Sequence, residues 1–415
     1  MFFSNETLQL VESAEKELSV QFAAADNIAM KNQMKILDAM QKHRLSETHF
    51  GGTTGYGYND GGRETLENIF ASIFKAEAAL VRPQLISGTH ALTAAMLGNL
   101  RPGDELFSPT GRPYETLAKV IGIKPTPGSF AEYGIVYKEA ALAADGSLDY
   151  DAIEKGITKK TKMAAIQRSK GYCWRPSFCI NEIKNLIKFI KKIKSDVICL
   201  VDNCYGEFAE EEEPVEAGAD IAVGSLIKNP GGGLAPAGGY ITGGEKYVAA
   251  AADRVTAPGL GRDAGPTLGL TRLLLQGLFL APQVVRGCVA GSALMSLVFS
   301  NLGYSVLPLP FEPRTDIVQA IRLGSAEKIK KFCRAIQQAS PVDSFVTPEP
   351  AATPGYSGPV IMAGGSFIQG ASAELSADAP IEPPYNVFFQ GGLTGFHARI
   401  GVLNAAETFL RDTFV

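Results

Sequence analysis

The sequence has few cysteines and histidines, and neither type forms a metal-binding or redox pattern. Six cysteines occur among 415 residues, and no two of them form a C-x-x-C pair. The four histidines show no H-x-x-x-H spacing and no clustering with cysteine of the kind that binds zinc. We therefore expect free thiols in a reducing compartment and no metal site.

A large charge of one sign and long apolar runs are also missing. Lys and Arg number 39 against 43 Asp and Glu, a net charge of −4, and nucleic-acid-binding proteins instead carry basic patches. No run reaches the roughly 18 consecutive apolar residues of a membrane span. The nearest, 268–302, is interrupted by Arg272, Gln276, Gln283 and Arg286 at helical spacing. The N-terminus lacks the apolar core of a signal peptide. We expect a cytoplasmic protein that binds neither nucleic acid nor membrane.

Short apolar runs alternate with amphipathic helices through the middle of the chain. This alternation is typical of a mostly parallel sheet with helices on both faces, an α/β fold. The runs predicted as strands are Ala79–Ile86, Glu105–Phe107, Gly134–Tyr137, Met163–Gln167, Val197–Val201, Ile221–Val223 and Ala237–Ile241. The helices predicted between them are His90–Leu100, Tyr114–Ile121, Tyr150–Gly156 and Ile180–Lys194.

The two ends of the chain differ from this middle part. Residues 4–48 have helical periodicity and lead into a glycine-rich loop, 49–62. Residues 264–303 predict a long apolar helix, and 305–415 a smaller α+β unit. The sequence therefore predicts an N-terminal helical segment and loop (1–62), a large α/β domain (63–290) and a small C-terminal α+β domain (291–415).

The turn Ser87-Gly88-Thr89-His90 follows the first predicted strand of this sheet and opens a helix. Glycine lets a backbone approach a ligand closely, and the free N–H groups of a helix N-terminus bind anions. The turn therefore predicts a phosphate cradle. An ordinary helix N-cap is the alternative.

Asp202 follows the apolar run Val197–Val201 directly. Ligands of parallel α/β sheets bind outside the carboxyl ends of the strands. A carboxylate at a buried strand end is costly unless a cation or hydrogen-bond donors meet it. Asp202 is therefore a candidate ligand-binding residue, and an Asx turn at the strand exit is the alternative.

Lys228 lies in a glycine-rich loop after the run Ile221–Val223, with Ser225 three residues before it. A desolvated amine with few charges nearby would have a lowered pKa, as in lysines that form Schiff bases. A surface-turn lysine and a phosphate-loop lysine are alternatives, although the G-x-x-x-x-G-K-[ST] pattern is absent. No G-x-G-x-x-G opens the first βα turn, which argues against a dinucleotide fold.

Together and in this order, the three groups resemble those of the fold-type I enzymes that use pyridoxal 5′-phosphate. Longer segments narrow the resemblance. They are ISGTHAL, RPGDELFSPTGRPYETL, QRSKGYCWRPS, VDNCYGEF, SLIKNPGGGLAPAGGYITG and FFQGGLTGFHARIG. They are similar to the cystathionine β-lyase / methionine γ-lyase-like proteins often labelled aluminium-resistance proteins, over about residues 15–412.

The resemblance implies a lyase that cleaves a carbon–sulfur bond of an amino acid by β- or γ-elimination. Lys228 would carry pyridoxal 5′-phosphate covalently, as an aldimine. Asp202 would hold the ring nitrogen protonated, and Tyr114 would stack on the ring face. The phosphate would be held by Ser87, Gly88, Thr89 and Ser225. A γ-replacement synthase, an aminotransferase, a C–C lyase and a cofactor-binding stress protein without turnover remain open.

The resemblance also implies a homodimer or homotetramer. Tyr56 and Tyr58 are similar to a tyrosine loop that reaches the phosphate of the neighbouring subunit in relatives. Those relatives have an arginine two residues after such a tyrosine, whereas here the nearest arginine is Arg63. Near the C-terminus, Arg399 is the candidate for the substrate carboxylate, because a guanidinium binds a carboxylate bidentately. The residues that compete for that role are Arg168 and Arg175.

Overall fold

The computed structural model describes residues 3–353 and 355–411. The α-helices in these ranges are α1 (Asn5–Glu17), α2 (Ser19–Lys42), α3 (Gly61–Ile73), α4 (Gly88–Asn99), α5 (Glu115–Ile121), α6 (Tyr150–Gly156), α7 (Ile180–Ile193), α8 (Glu245–Val255), α9 (Thr271–Asn301), α10 (Ala326–Gln338) and α11 (Gly395–Leu410). The strands are β1 (Ala78–Arg82), β2 (Glu105–Ser108), β3 (Val136–Glu139), β4 (Thr161–Gln167), β5 (Ile198–Asp202), β6 (Ile221–Ser225), β7 (Gly239–Gly243), β8 (Ser305–Leu307), β9 (Val318–Arg322), β10 (Ala351–Ala352), β11 (Pro359–Ala363), β12 (Ser376–Pro380) and β13 (Asn386–Gln390).

Seven strands form the first sheet, in the order β1-β7-β6-β5-β4-β2-β3. Strands β6, β5, β4, β2 and β3 pair in parallel, whereas β7 is antiparallel to both of its neighbours. Every residue of β1, β5, β6 and β7 is buried, because helices cover both faces. The predicted fold class, a mostly parallel sheet flanked by helices, is confirmed.

Six antiparallel strands form the second sheet, in the order β10-β11-β12-β13-β9-β8. Helix α10 packs on it through apolar side chains at positions i, i+3 and i+7, namely Ile329, Phe332 and Ile336. Val11 and Leu18, at the N-terminal end of the chain, are buried in the same core. The smaller unit therefore contains α1 as well as the C-terminal residues.

Helix α9 connects the two units and contributes to both cores. Its first half packs with the helices around the first sheet and its second half packs with the second sheet. By length and composition α9 could cross a membrane, yet 61% of its most apolar window is buried inside the fold. It is therefore built like the core helix of a folded domain.

Several elements differ from the sequence prediction. The predicted helix over 4–48 is two helices, because the chain turns at Leu18, whose side chain is apolar and gives no signal of a break. Helix α8 and strands β9 and β12 were not predicted. All six cysteines are free, as expected; four are buried, whereas Cys173 is exposed and Cys179 half-buried.

Candidate active site

Seven of the predicted site residues line one cavity of about 600 Å³. They are Ser87, Gly88, Thr89, Tyr114, Asp202, Ser225 and Lys228. The cavity lies at the carboxyl ends of β5 and β6, where an open α/β sheet binds ligands, and residues 356–360 and 380–382 of the smaller unit complete its wall. Its size suits a small-molecule site.

A larger depression of about 800 Å³ lies elsewhere, against α2, α9 and the loop 208–212. None of the predicted site residues lines it. Chemistry depends on converging polar and charged groups rather than on volume, so the smaller cavity is the candidate active site.

The turn before α4 forms one end of the cavity. The Ser87 hydroxyl oxygen accepts the His90 N–H at 3.1 Å, so Ser87 is the N-cap of α4. A Cβ added at Gly88 would lie 3.1 Å from the Cys204 sulfur and 3.5 Å from the Ser225 Cβ. The turn therefore caps a helix, and its glycine leaves a space that a side chain would fill. That this space is a phosphate cradle stays a prediction.

Asp202 ends β5 and faces the cavity. One of its oxygens accepts the Cys204 N–H at 3.1 Å, which is the expected Asx turn. Burial raises the pKa of this carboxyl, against the lowering effect of the Lys228 charge and the Cys204 hydrogen bonds. Within the described residues Asp202 forms no salt bridge, so the carboxylate is available to a cationic group of a ligand.

The Lys228 amine lies 3.7 Å from the centroid of the Tyr205 ring, inside the cavity. This position rules out a surface-turn lysine. The prediction of a lowered pKa is wrong: burial lowers it, but Cys204, Tyr205 and Asp202 together raise the pKa of Lys228 well above its ordinary value. The sequence did not show that three proton-bearing groups surround the amine.

The loop that carries Lys228 is fixed against α9. A Cβ added at Gly277 would lie 2.1 Å from the Gly231 carbonyl oxygen, so the backbones of loop and helix are in direct contact. The Asn229 amide donates to the Tyr205 carbonyl at 3.0 Å. The loop that carries the lysine is therefore fixed by a backbone contact at Gly231 and a side-chain hydrogen bond at Asn229.

Tyr114 lies at the start of α5 and forms a wall of the cavity. Its hydroxyl and that of Thr89 are 2.9 Å apart, and its N–H donates to the Gln167 side-chain oxygen at 3.0 Å. Burial and the Asp202 charge raise the pKa of the Tyr114 phenol well above its usual value. The phenol therefore keeps its proton at neutral pH and can act as a donor.

Sequence reasoning missed a tyrosine and aspartate group at the cavity. Tyr172, Tyr205 and Tyr356 line the cavity, and the Tyr172 and Tyr356 rings are 5.6 Å apart. Behind them, Asp378 of β12 accepts the Gln390 amide at 3.0 Å and a hydrogen bond from Tyr172. Burial raises the pKa of Asp378 to about 7, although the Lys228 charge lowers it.

The only signal for this group was the aromatic QRSKGYCWRPS loop after β4. Strand β12, SADAP, has weak β propensity and gave no signal for its aspartate.

The structure does not bring Arg399 to the cavity, which corrects the expectation for a substrate arginine. Its guanidinium donates to Glu15 of α1 at 2.7 Å. The competing arginines are engaged too. Arg168 is fully buried and pairs with Glu210 at 2.6 Å, and Arg175 donates to main-chain carbonyls. Each of these guanidinium groups stabilises the fold at its own position.

The tyrosine loop lies outside the cavity of its own chain. Tyr56 and Tyr58 are 72% and 50% exposed and stack with ring centroids 5.5 Å apart. Buried Arg63 donates to the carbonyls of Gly57 and Gly265 at 2.5 and 3.0 Å. Arg63 therefore holds the loop in place, and the two phenol rings project from a fixed base.

The donor set around the cavity fits pyridoxal phosphate. The cradle at Gly88 offers helix N–H groups and hydroxyls to a phosphate. The buried Asp202 carboxylate has no cationic salt-bridge partner within the described residues and would meet a protonated ring nitrogen. Lys228 offers the amine that binds an aldehyde.

The comparisons with known proteins agree with this fit. The family model described as methionine gamma-lyase matches residues 7–410. The uncharacterized protein YnbB of Bacillus subtilis (strain 168) is 49% identical over 392 residues, covering 94% of this chain and 93% of YnbB.

Solved structures extend the likeness to three dimensions. The carbon-sulfur lyase involved in aluminum resistance from Clostridium novyi NT is 45% identical, with a TM-score of 0.94, covering 98% of this chain and 96% of that one. The pyridoxal-5′-phosphate-dependent protein YhfS from Escherichia coli is 16% identical with a TM-score of 0.61, over 91% of this chain and 95% of YhfS, a likeness of fold alone. The chain therefore belongs to the methionine gamma-lyase family and has the fold of the fold-type I enzymes that depend on pyridoxal phosphate.

Proposed function

We propose that this protein is a pyridoxal-phosphate-dependent carbon–sulfur lyase that converts a sulfur-containing amino acid into a thiol, ammonia and a 2-oxo acid. The observation that carries the proposal is the convergence of Lys228, Asp202 and Tyr114 on one cavity beside a phosphate cradle. Membership of the methionine gamma-lyase family supports the same chemistry.

The cofactor would be held at three points. The N–H groups at the start of α4 and the hydroxyls of Ser87, Thr89 and Ser225 would bind its phosphate, and Lys228 would bind its aldehyde carbon covalently. When bound, the group supplies an electron-withdrawing ring that stabilises negative charge on the substrate Cα. Asp202 would accept the ring N–H and keep that nitrogen protonated.

The Lys228 amine would take the Cα proton once the substrate amine has displaced it. A lysine acts as a base only when its amine is uncharged. In the structure Cys204, Tyr205 and Asp202 raise the pKa of Lys228 and so keep the amine protonated. A cationic ring nitrogen paired with Asp202 would neutralise part of the negative charge near Lys228 and so lower the pKa of the lysine. Pairing with Asp202 would therefore both keep the ring nitrogen protonated and lower the pKa of Lys228.

Tyr114 would donate a proton to the leaving sulfur. Because burial and Asp202 raise its pKa, the phenol remains protonated where a thiolate leaves. Its contact with Thr89 fixes the hydroxyl at one edge of the cavity. Tyr114 would therefore act as a general acid as well as stack on the cofactor ring.

The active unit would be at least a dimer in the cytoplasm. The exposed Tyr56 and Tyr58 do not line the cavity of their own chain, and their loop is held rigidly by Arg63. Two such rings on a fixed base would suit the cofactor phosphate of a neighbouring subunit.

The test is incubation of the holoenzyme with cystathionine, cysteine and methionine, with and without an added 2-oxo acid. Release of ammonia with pyruvate would mark β-elimination, and with 2-oxobutyrate γ-elimination. Lys228→Ala is the control and should release neither. If ammonia never appears but the amino group moves to the added 2-oxo acid, the enzyme is an aminotransferase and the proposal is wrong.

A further inference from the structure

An amino-acid substrate brings a carboxylate into the cavity, and the arginines expected to receive it lie elsewhere. Arg399, Arg168 and Arg175 all have partners outside the cavity. Among the described residues that line the cavity, the cationic side chains are Lys228 and Arg112. Under the proposed function the lysine amine holds the cofactor aldehyde and, once displaced, acts as the uncharged base, so Arg112 is the cation that remains.

Arg112 lies in the short loop between β2 and α5, at the mouth of the cavity. Gly111 before it has a positive φ of 82°, and Pro113 after it has a restricted φ. Tyr114, two residues on, is anchored by its hydrogen bonds. The backbone that carries Arg112 is therefore fixed, while its side chain is exposed.

The guanidinium of Arg112 forms no salt bridge within the described part of the chain. Besides Asp202, the carboxylates Glu115 and Glu382 line the same cavity, and none of the three pairs with Arg112. Glu115 instead accepts the Ser357 N–H at 2.8 Å. A guanidinium free of carboxylates can offer both N–H groups of one edge to a ligand.

The strand order separates the start of the Arg112 loop from Ser225 of the phosphate cradle, whereas Tyr114 later in the loop reaches Thr89. The cradle uses Ser225 at the end of β6, and Asp202 ends the adjacent β5. Arg112 follows β2, three strands from β6, which is about 14 Å along the sheet at the usual strand spacing. The loop therefore starts beyond Asp202, on the side away from the phosphate.

We propose that Arg112 binds the α-carboxylate of the substrate through a bidentate hydrogen-bonded pair. This role rests on the proposed function only in requiring an α-amino acid as ligand. It makes Arg112 a substrate-binding residue that selects amino acids over simple amines, and it is independent of which bond the enzyme breaks.

The test uses a matched pair of ligands that carry no leaving group: norleucine, and pentylamine, which is norleucine without its carboxylate. Each is titrated into holoenzyme, and binding is followed by the absorbance of the bound cofactor and by calorimetry. The variants are Arg112→Gln and Arg112→Lys, with Arg399→Gln as the control that removes a guanidinium outside the cavity.

We expect Arg112→Gln to weaken norleucine binding about 10- to 100-fold, since a hydrogen bond between charged groups is lost. Pentylamine binding and the cofactor content should stay the same. Arg112→Lys should recover only part of the loss, because a lysine lacks the planar fork. Arg399→Gln should match the wild type.

Three results would overturn the proposal. Norleucine affinity could be unchanged in Arg112→Gln, the wild type could fail to bind norleucine more tightly than pentylamine, or the variant could lose the cofactor, which would make Arg112 a phosphate ligand. If the wild type binds norleucine through Arg112 but releases no 2-oxo acid from any sulfur amino acid, the lyase proposal fails and the role of Arg112 stands.

Discussion

Replacing Asp378 by asparagine should stabilise the protein at alkaline pH. Burial raises the pKa of this carboxyl to about 7 from an ordinary value of 3.8. Because the folded state holds the proton more tightly than the unfolded state, ionisation of Asp378 costs stability as the pH rises from about 4 to 7. Asparagine has nearly the same shape as the protonated acid and removes that cost.

The magnitude follows from the two pKa values. A separation of about three pH units corresponds to roughly 4 kcal/mol at 1.36 kcal/mol per unit, as an upper limit. At an unfolding entropy of about 2.1 cal/mol/K per residue, 415 residues convert this into a melting temperature higher by about 5 °C above pH 8. Below pH 4 wild type and variant should differ by less than about 1 °C.

The surroundings of Asp378 should survive the change. Gln390 donates to one oxygen and Tyr172 to the carboxyl group, and asparagine keeps one oxygen acceptor for them. The other groups that share its field are Lys228, which lowers its pKa, and four groups whose pKa values it raises, namely Tyr172, Tyr205, Tyr356 and Cys333. These groups are present in both proteins, so their own titration largely cancels in the comparison.

The assay is the melting temperature of wild type and Asp378→Asn from pH 4 to 9, followed by circular dichroism at one scan rate. Asp196→Asn is the control, because Lys194 lowers the pKa of that exposed carboxyl and the variant should show a small change of opposite sign. A difference between wild type and Asp378→Asn that stays flat with pH, or that favours the wild type above pH 7, would refute the reasoning.

Four further predictions concern the cavity. In Lys228→Ala, borohydride treatment should leave no cofactor on the chain and turnover should vanish; in the wild type, peptide mapping should find the adduct on Lys228 and on no other lysine. Asp202→Asn should slow elimination by at least about 100-fold while cofactor still binds, since breaking a buried charge pair costs about 3–5 kcal/mol; near-wild-type rates would contradict its role. Gly88→Ala should weaken cofactor binding at least about 10-fold, measured by equilibrium dialysis, with the melting temperature of the cofactor-free protein unchanged. Mixing Lys228→Ala with the double variant Tyr56→Phe/Tyr58→Phe should restore some activity in hybrid dimers, and a failure after confirmed subunit exchange would mean that each site uses one chain.

The first sheet was predictable because its strands are short runs buried on both faces. Apart from Asp202 and Ser225 at their ends, β5 and β6 contain only apolar residues and glycine because every position in them is buried. The alternation with helices then predicts a parallel arrangement. The reversal of β7 was not predictable, because a two-sided apolar strand looks the same in either direction. Its direction depends on pairing with β1 and β6, which sequence periodicity does not encode.

The second sheet was only partly predicted because its strands are less apolar. Strand β12 alternates buried alanines with half-buried polar residues, among them Asp378, and alanine has little β propensity. The sequence therefore predicted Lys228 and Asp202, which line the cavity, and missed Tyr172 and Tyr356 on its wall and Asp378 behind them. The position of Arg399 was not predictable either. The helical pattern around it does not show that its partner is Glu15, which is far away in sequence.

The loop that carries Lys228 and the second sheet both pack against helix α9. The Lys228 loop contacts α9 backbone to backbone at Gly277, and α9 continues into the core beneath the second sheet. Under the proposed lyase function, the residues beside the cofactor would generate the carbanion in either elimination, so the choice of leaving group would depend on the other residues that line the cavity. Among the described residues these include Tyr172 and Tyr356, with Asp378 behind them, and no arginine of the smaller unit.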